Sequence, residues 1–450
     1  VDAEMLAFSQ GVTRRGSYAG YLEISHPEIE EFLDIRKPTG GDINRKSTNV
    51  HHGVVVGDDF MTLIEQATLI EGFDDSWDLI DPHTGVVKKT VSAKTLWVKL
   101  IQNRVETGEP YIMFRDTVQN ALPDFQKDLG LKVHHSNLCS EITLATSDDR
   151  TAVCCLSSVN LEEYDEWCDN DQFIPDLVRM LDNVLEYFIE NAPPELWRAV
   201  NSAKNERSIG LGAMGFHAYL QRQDIPFESM WATSANHKMF KRIKSEATRA
   251  TKQLATERGE CPDGVGSGVR NTHLLAVAPN ASSSIICGNT SPSIEPYRAN
   301  AFTQKTKSGS SLLKNEYLEH ALQEIEMDTD EIWSSIMTNG GSVQHLEFLD
   351  DHTKEVFKTG VEIDQKWVIQ HAADRQQYIC QSQSLNVFFP ANVSKQELHA
   401  IHMSAWKKKV KTLYYLRSEA MKRAENVSDE ALRQYVLDSV DENECLACEG

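Results

Sequence analysis

The residues best suited to chemistry lie in the segment Ser136-Asn137-Leu138-Cys139-Ser140-Glu141-Ile142. In an extended backbone, side chains two residues apart point to the same side, so Asn137, Cys139 and Glu141 would lie on one face, each about 7 Å from the next. A carboxyl can move protons, a thiol can react, and an amide can orient a substrate, so the segment predicts a catalytic strip. The same spacing also fits a half-buried strand with a core cysteine, because cysteine is often buried.

Further thiols occur as two pairs. Cys154 and Cys155 are adjacent, so in a strand they face opposite sides, and one could line a site while the other fills the core. No second pair at zinc-ligand spacing accompanies them. Cys445 and Cys448 form a C-x-x-C pair near the C-terminus, a spacing that favours a reversible disulfide and a lowered thiol pKa. Half of a zinc site is the alternative interpretation of that pair.

Two other segments suggest radical or anion chemistry. Tyr414 and Tyr415 end an apolar run and could pass an electron with a proton, although a core tyrosine beside a surface tyrosine fits equally. A buried strand, 273–278, leads into the turn Pro279-Asn280-Ala281-Ser282-Ser283-Ser284. Free N–H groups and hydroxyls at a helix start suit a phosphate, whereas a serine-rich turn is often only a helix cap.

Near the start of the chain, residues 9–20 form a glycine-containing loop with two arginines. It contains Gln10 and Arg14 and could sense a nucleotide, or it could be an ordinary surface loop. It lacks the G-K-[ST] ending of a Walker A motif.

Short apolar runs alternate with amphipathic stretches, which favours an α/β fold. Strands are predicted at 53–56, 110–114, 273–278 and 410–415, and helices at 27–34, 93–106, 174–190, 235–258 and 394–408. The stretch 328–363 gives no clear pattern. We expect a catalytic domain over 1–424 and a mobile, acidic tail over 425–450 that carries Cys445 and Cys448.

Composition narrows the function classes. The 450 residues are 40% hydrophobic and 25% charged, as in globular proteins, and the formal net charge of −22 argues against broad nucleic-acid binding. No long apolar run predicts a membrane span, and nine cysteines without a visible leader favour a reduced, cytoplasmic protein. The chain begins at Val1 without an initiator methionine, which predicts a start inside a folded domain.

The order of the motifs resembles one family. S-N-L-C-S-E-I, C-L-S-S-V-N-L, A-P-N-A-S-S-S, T-L-Y-Y and a terminal C-x-x-C occur in the same order in class I ribonucleotide reductase large subunits. The opening segment S-Q-G-V-T-R-R-G-S-Y-A-G-Y-L-E-I is similar to that family's second specificity loop. The resemblance implies a ten-stranded α/β barrel with a central finger loop, here lacking its N-terminal strands.

The resemblance also implies roles for individual residues. Cys139 would carry the thiyl radical, Glu141 would be the base for the 3′ hydroxyl, Asn137 and Ser136 would bind substrate, and Cys154, aligned through Leu156 and Ser157, would supply a reducing thiol. Tyr414 and Tyr415 would transfer the radical, Cys445 and Cys448 would renew the dithiol, Ala281, Ser282 and Ser283 would hold the substrate phosphate, and Gln10 and Arg14 would contact the effector.

The implied reaction is the reduction of ribonucleotides, by the resemblance the diphosphates, for DNA precursor synthesis. No cofactor or metal would bind this chain directly. The expected partners are a metal-containing small subunit that generates the radical, ATP and deoxynucleotide effectors, thioredoxin or glutaredoxin, and a second large subunit. The family's other active-site thiol and most of its effector site would lie upstream of Val1. The alternatives are a non-catalytic or split-subunit component that needs an N-terminal fragment, and a thiol-redox or metal-binding protein that uses the tail cysteines.

Overall fold

A computed structural model of the chain describes residues 1–10, 14–37, 40–306 and 309–418 and has a mixed α/β architecture. The helices are α1 (Asp2–Ala7), α2 (Ile29–Phe32), α3 (Asp58–Leu69), α4 (Ala93–Thr107), α5 (Arg115–Asn120), α6 (Asp124–Asp128), α7 (Tyr164–Trp167), α8 (Phe173–Asn191), α9 (Trp197–Glu206), α10 (Phe216–Arg222), α11 (Met230–Arg258), α12 (Ala281–Ile286), α13 (Glu316–Glu324), α14 (Asp330–Thr338), α15 (Asp351–Val356), α16 (Gln365–Gln376) and α17 (Lys395–Lys407). The strands are β1 (Ser9–Gln10), β2 (Arg14–Arg15), β3 (Ala19–Glu23), β4 (His51–Val56), β5 (Ser76–Ile80), β6 (Val87–Ser92), β7 (Tyr111–Phe114), β8 (Leu156–Asn160), β9 (Gly210–Met214), β10 (Ala301–Thr306), β11 (Gly309–Lys314), β12 (Val387–Phe389), β13 (Thr412–Leu413) and β14 (Leu416–Ser418).

One group of strands is parallel and deeply buried. β3, β4 and β7 lie side by side in parallel, and β13 joins the other edge of β7 in the antiparallel direction. β4 and β7 are buried at every position, which explains their continuous apolar sequence, because strands covered on both faces do not alternate. The strands predicted at 53–56 and 110–114 are therefore confirmed.

A second parallel group begins with β8 and β9. It continues through single bridges from Leu211 to Leu275 and from Val277 to Gln383. The predicted strand 273–278 therefore takes part in this group only at those bridges. A backbone hydrogen bond links this group of strands to the first group, since the Tyr414 N–H donates to the Leu385 carbonyl at 2.9 Å. Of the predicted strand 410–415 only β13 forms, at Thr412–Leu413, and Tyr414 and Tyr415 lie between it and β14.

The long helices cover these strands and follow their sequence signals. Ser92 caps α4, Ser229 caps α11 and Ser394 caps α17, each accepting a hydrogen bond from a backbone N–H three residues later. α4 ends at Gly108, whose φ of 79° suits glycine. The helices predicted at 93–106, 174–190, 235–258 and 394–408 are confirmed, whereas 27–34 contains only the single turn α2.

α4 also supports the tyrosine segment. The buried Arg104 guanidinium donates to the Tyr414 carbonyl at 3.0 Å, to His402 Nε2 at 3.1 Å and to the Pro110 carbonyl. Because a buried guanidinium without partners is costly, these bonds fix the start of β7 and the start of the tyrosine pair relative to α4 and α17. No helix in the described ranges is long and apolar enough to cross a membrane.

Candidate active site

The segment around Cys139 is a turn and not the strand that its alternating pattern predicts. The Ser140 N–H donates to the Asn137 carbonyl at 3.2 Å, and Ser140 has a φ of 67°. A positive φ at a residue other than glycine is uncommon and requires support from its surroundings. The extended-strand prediction is wrong because the local hydrogen bonds of Asn137 and Ser140 favour the turn over strand pairing.

Side chains within the turn stabilise it from inside. Asn137 Oδ1 accepts the Ile142 N–H at 3.1 Å, and the buried Ser136 hydroxyl donates to the Ile142 carbonyl at 2.8 Å. The Tyr21 hydroxyl donates to the Asn137 carbonyl at 3.1 Å. These contacts give Ser136 and Asn137 a positioning role, while their contact with a substrate stays a prediction.

Three hydrogen bonds attach the turn to neighbouring segments. Ser384 Oγ lies 2.5 Å from the Cys139 carbonyl, the Ser382 N–H donates to the Glu141 carbonyl at 2.8 Å, and the Thr412 hydroxyl donates to the Ser140 carbonyl at 2.8 Å. The turn is therefore fixed between the 382–384 segment and β13.

Glu141 is a buried carboxyl with an unusual proton affinity. Its side chain is almost fully buried, and burial raises its pKa to about 7 because a charged carboxylate loses solvation. Hydrogen bonds from its own backbone, from Asn137 and from Ser384 oppose this rise. Ser384 Oγ lies 3.2 Å from Glu141 Oε2. A carboxyl with a pKa near neutrality is suited to accept and return a proton.

Cys139 packs against a cluster of aromatic rings. Tyr111, Tyr414 and Tyr415 are buried, and Leu138 and Cys139 contact them. The ring centroids of Tyr414 and Tyr415 are 4.3 Å apart, and those of Tyr111 lie 4.8 Å and 5.1 Å from them. The structure thus brings together Cys139 and both predicted tyrosines, and it adds Tyr111, which sequence reasoning missed.

Tyr415 also contacts a buried ionisable group. Its hydroxyl lies 3.3 Å from His51 Nδ1, and the same nitrogen lies 2.5 Å from Glu109 Oε1. His52 and Arg36 contact the other oxygen of Glu109. Burial would raise the pKa of Glu109, but His51, His52 and Arg36 hold it well below its ordinary range. Glu109 is therefore a buried carboxylate that holds His51 beside the Tyr415 hydroxyl.

The two adjacent cysteines lie in different surroundings. Cys155 is buried in the main core, and its sulfur lies 3.4 Å from the Leu181 carbonyl. The Cys154 residue is exposed, yet desolvation around its sulfur and the charge of Glu141 raise its pKa to about 12. Of the two, Cys154 is the one open to solvent. Its assignment as the reactive thiol, from the alignment to Leu156, stays a prediction.

The predicted phosphate turn begins α12. Asn280 is its N-cap with a φ of 55°, Ala281 is half-buried, and Ser282 and Ser283 are exposed. The Ser158 hydroxyl of β8 donates to Asn280 Oδ1 at 3.1 Å, so the turn is attached to the strand that follows Cys154. Phosphate binding at this turn stays a prediction.

Two groups of predicted residues remain, the effector residues and the tail cysteines. Gln10 and Arg14 pair across the β1–β2 hairpin, and their effector role stays a prediction. Cys445, Cys448 and the whole of 425–450 lie outside the described residues. In the described part of the chain, no group of three or more His, Cys, Asp or Glu side chains could hold a metal ion.

Comparison with known proteins agrees with this geometry. The sequence matches the family described as ribonucleotide reductase, barrel domain, over residues 1–267 and 263–416. It is 49% identical over 453 residues to a ribonucleoside-diphosphate reductase large-subunit homologue of Frog virus 3 (isolate Goorha), covering 100% of this chain and 78% of the relative. It is 47% identical over 499 residues to the ribonucleoside-diphosphate reductase large subunit of Invertebrate iridescent virus 3, covering 100% of this chain and 79% of the relative.

A solved structure shows the same fold. The Actinobacillus ureae class Id ribonucleotide reductase alpha subunit matches with a TM-score of 0.79 and 40% identity, covering 90% of this chain and 71% of that chain. The two parallel strand groups and the turn that carries Cys139 therefore belong to the α/β barrel of that family. The chain belongs to the ribonucleotide reductase large-subunit family and is an enzyme of the ribonucleoside-diphosphate reductase type.

Proposed function

We propose that this chain reduces ribonucleoside diphosphates to 2′-deoxyribonucleotides, for DNA precursor synthesis, by radical chemistry at Cys139. The observation that supports this most is the turn 137–141, which holds Cys139 against the tyrosine cluster while Glu141 lies buried beside it. A cysteine between redox-capable rings and a carboxyl with a near-neutral pKa suits a reaction that begins with electron transfer and proceeds through proton transfer.

The chain's own residues account for the early steps. Tyr415, Tyr414 and Tyr111 pass an electron away from Cys139, whose thiol proton leaves with it, and the thiyl radical takes the hydrogen atom from the ribose C3′. Glu141 accepts the proton of the 3′ hydroxyl, and Asn137 orients the hydroxyls. Enclosure by the barrel limits quenching of the radical by solvent.

The reduction consumes two electrons. The 2′ hydroxyl leaves as water with one hydrogen from the dithiol, C2′ receives the other hydrogen as Cys154 and a second thiol become a disulfide, and Cys139 returns its hydrogen atom to C3′. Cys445 and Cys448 renew the dithiol by exchange and are themselves reduced by thioredoxin or glutaredoxin. Ala281, Ser282 and Ser283 hold the substrate phosphate, and Gln10 and Arg14 contact a nucleotide effector.

The partners follow from the same chemistry. The radical comes from a separate, metal-containing small subunit, and the buried tyrosines that contact Cys139 pass it to the thiol. Two large subunits form a dimer, and ATP or deoxynucleotides regulate it.

The test is turnover of this protein mixed with its small subunit, a ribonucleoside diphosphate and a dithiol. We expect deoxyribonucleotide formation, its loss in Cys139→Ser, and retention in Cys168→Ser, which removes a half-buried cysteine outside the turn. Turnover by a folded Cys139→Ser protein would refute the proposal. An inactive wild-type protein that still binds the small subunit would favour the non-catalytic assembly component.

A further inference from the structure

A cysteine outside the proposed active site lies in a lysine-lined cleft. Cys380 is half-buried and lines a cleft of about 630 Å³ together with Lys244, Lys408, Lys409 and Lys411. The cleft is bounded by the ends of α5, α16 and α17 and by the side of α11. Four ammonium groups around one opening attract anions, because low-dielectric walls focus the field of the charges.

The sulfur of Cys380 occupies a position prepared for negative charge. It accepts the backbone N–H groups of Leu274 and Leu275 at 3.1 and 3.2 Å, and it lies 3.5 Å from the Leu275 carbonyl oxygen. Backbone N–H groups that converge on one atom stabilise an anion. A neutral thiol would use these donors poorly, since sulfur of a thiol is a weak acceptor.

The lysine on the floor of the cleft complements that charge. Lys411 is buried, and its ammonium donates to the carbonyls of Cys380 and Gln381. Within the ranges that the structure describes, it forms no ion pair with a carboxylate. Burial lowers the pKa of Lys411 to about 8, and the negative charge of Cys380 opposes that change. The Lys411 ammonium therefore lies beside the backbone of Cys380, and the charges of the two side chains favour each other.

The surroundings distinguish Cys380 from other cysteines of the chain. Burial would raise its pKa, but His273 and the charge of Lys244 lower the pKa to about 5. The pKa values of Cys154, Cys155 and Cys261 are raised by burial. Because the thiolate is the reactive form, Cys380 alone among these four is ionised at neutral pH.

A short backbone path connects Cys380 to the catalytic turn. Ser382, two residues later, donates its N–H to the Glu141 carbonyl, and Ser384 contacts both the Cys139 carbonyl and the Glu141 carboxyl. A bulky group on Cys380 would remove the acceptor of two backbone N–H groups and press on the segment 380–384. That segment would then hold the turn less firmly.

We propose that Cys380 is a redox-modification site, at which a small anionic disulfide forms a reversible mixed disulfide that loosens the 380–384 segment. In the exchange the Cys380 thiolate attacks one sulfur of the disulfide, the new S–S bond forms as the old one breaks, and the other half leaves as a thiolate. The dithiol that restores the enzyme reverses the step. The lysines select the anionic disulfide, and its carboxylates occupy the cleft. The effect on turnover rests on the proposed function, whereas the modification does not.

The first experiment measures the modification itself. The whole protein is treated with the disulfide of mercaptopropionic acid, which is anionic, or with cystamine, which is similar in size and cationic, and Cys380 is quantified by peptide mass spectrometry. We expect the anionic reagent to react at least about 10-fold faster, in the range of electrostatic steering. Lys244→Gln should lower this ratio several-fold. A ratio of one or below, or an unmodified Cys380, overturns the proposal.

A second measurement uses the wild-type protein alone and so does not depend on folding of a variant. Alkylation of Cys380 by a neutral reagent should change less than about 2-fold between pH 6 and 8, whereas an ordinary thiol with a pKa near 8.5 gains roughly 75-fold. A pH dependence like that of an ordinary thiol overturns the proposal.

The consequence for activity is tested with the small subunit present. Pretreatment with the anionic disulfide should lower turnover at least several-fold, dithiol should restore it, and Cys380→Ser should be resistant while Cys168→Ser remains sensitive. Modification of Cys380 without any change in turnover overturns the link to the catalytic turn. An untreated enzyme without turnover refutes the proposed function instead, and leaves the labelling result intact.

Discussion

Ser384→Ala should move the acidic limb of the reductase pH profile upward. Ser384 Oγ lies 3.2 Å from Glu141 Oε2 and 2.5 Å from the Cys139 carbonyl, so one hydroxyl proton is shared between the two acceptors. Its bond to the carboxylate stabilises the ionised form and lowers the pKa of Glu141. Removal of the hydroxyl therefore raises that pKa, and more alkaline solution is needed to ionise the base.

The size of the shift follows from the strength of the bond. Hydrogen bonds to charged groups contribute about 1.5–3 kcal/mol, and half of that range for a shared proton is about 0.7–1.5 kcal/mol. One pKa unit corresponds to about 1.4 kcal/mol, so the pKa should rise by about 0.5–1 unit. From a starting pKa of about 7, the ionised fraction at pH 7 falls from about a half to roughly a tenth to a quarter. The expected loss of kcat/KM at pH 7 is about 2- to 5-fold, and it should diminish toward pH 9.

The assay is the initial rate of deoxyribonucleotide formation at substrate concentrations below KM, between pH 6 and 9, with saturating small subunit. Ser384→Thr retains the hydroxyl and should keep the wild-type limb. Ser382→Ala is the matched control, because the Ser382 hydroxyl contacts Thr412 Oγ1 at 2.6 Å and not the carboxyl. A uniform loss at all pH values would mean that Ser384 only positions the turn, and a limb shifted to lower pH would refute the assignment of Glu141 as the base.

Three further predictions concern the surroundings of the site. Replacement of His51 by Leu should lower kcat by about 2- to 10-fold, the equivalent of one hydrogen bond to the Tyr415 hydroxyl, and an unchanged kcat in the folded variant would exclude a role in radical transfer. Cys154→Ser should abolish multiple turnover with little change in the free energy of unfolding. Cys155→Ser should destabilise the core by about 1–3 kcal/mol and retain turnover. Denaturation and steady-state assays measure both, and the reverse result would assign the thiol to Cys155. Asp182→Asn should cost about 3–5 kcal/mol at pH 7, because Arg207 and Arg258 lose a buried carboxylate. Burial raises the pKa of Asp182, but the arginines bring it below 3.8. The contribution of Asp182 to the free energy of unfolding is therefore present above pH 3.8 and lost as the pH falls through the lower folded-state pKa. Urea denaturation at several pH values should show the free energies of unfolding of the wild type and Asp182→Asn converging there.

Local sequence signals predicted the elements that depend on consecutive residues, either through a cap or through a continuous apolar run. The continuous apolar runs of β4 and β7 and the serine caps of α4, α11 and α17 were sufficient, because each is a property of consecutive residues. The stretch 328–363 gave no pattern because α14 and α15 are short and pack into a separate small core with β10 and α13. Burial against distant residues, rather than local periodicity, determines these helices.

The residues of the candidate catalytic segment stood out in the sequence, but its backbone could not be predicted. Asn137, Cys139 and Glu141 stood out by residue type, and alternation indicated a strand because alternation is the only local signal that the segment offers. The turn depends on Ser384 and Thr412, which lie more than 240 residues away along the chain. His51 and Glu109 were missed for the same reason. They are separated by 58 residues, and only the pairing of β4 beside β7 brings them to Tyr415.

The attachments of the turn hold Cys139 and the two tyrosines in one arrangement, which the proposed radical transfer requires. Thr412 holds the Ser140 carbonyl and lies in the strand that leads directly into Tyr414, while Arg104 fixes the Tyr414 carbonyl from α4. A small movement of this strand therefore carries the turn and the tyrosines together, and the separation between Cys139 and the rings is preserved. Ser384 of the 382–384 segment contacts both the Cys139 carbonyl and the Glu141 carboxyl, and the Ser382 N–H donates to the Glu141 carbonyl. Changes in that segment should therefore alter both the proton transfer proposed for Glu141 and the position of Cys139 against the rings.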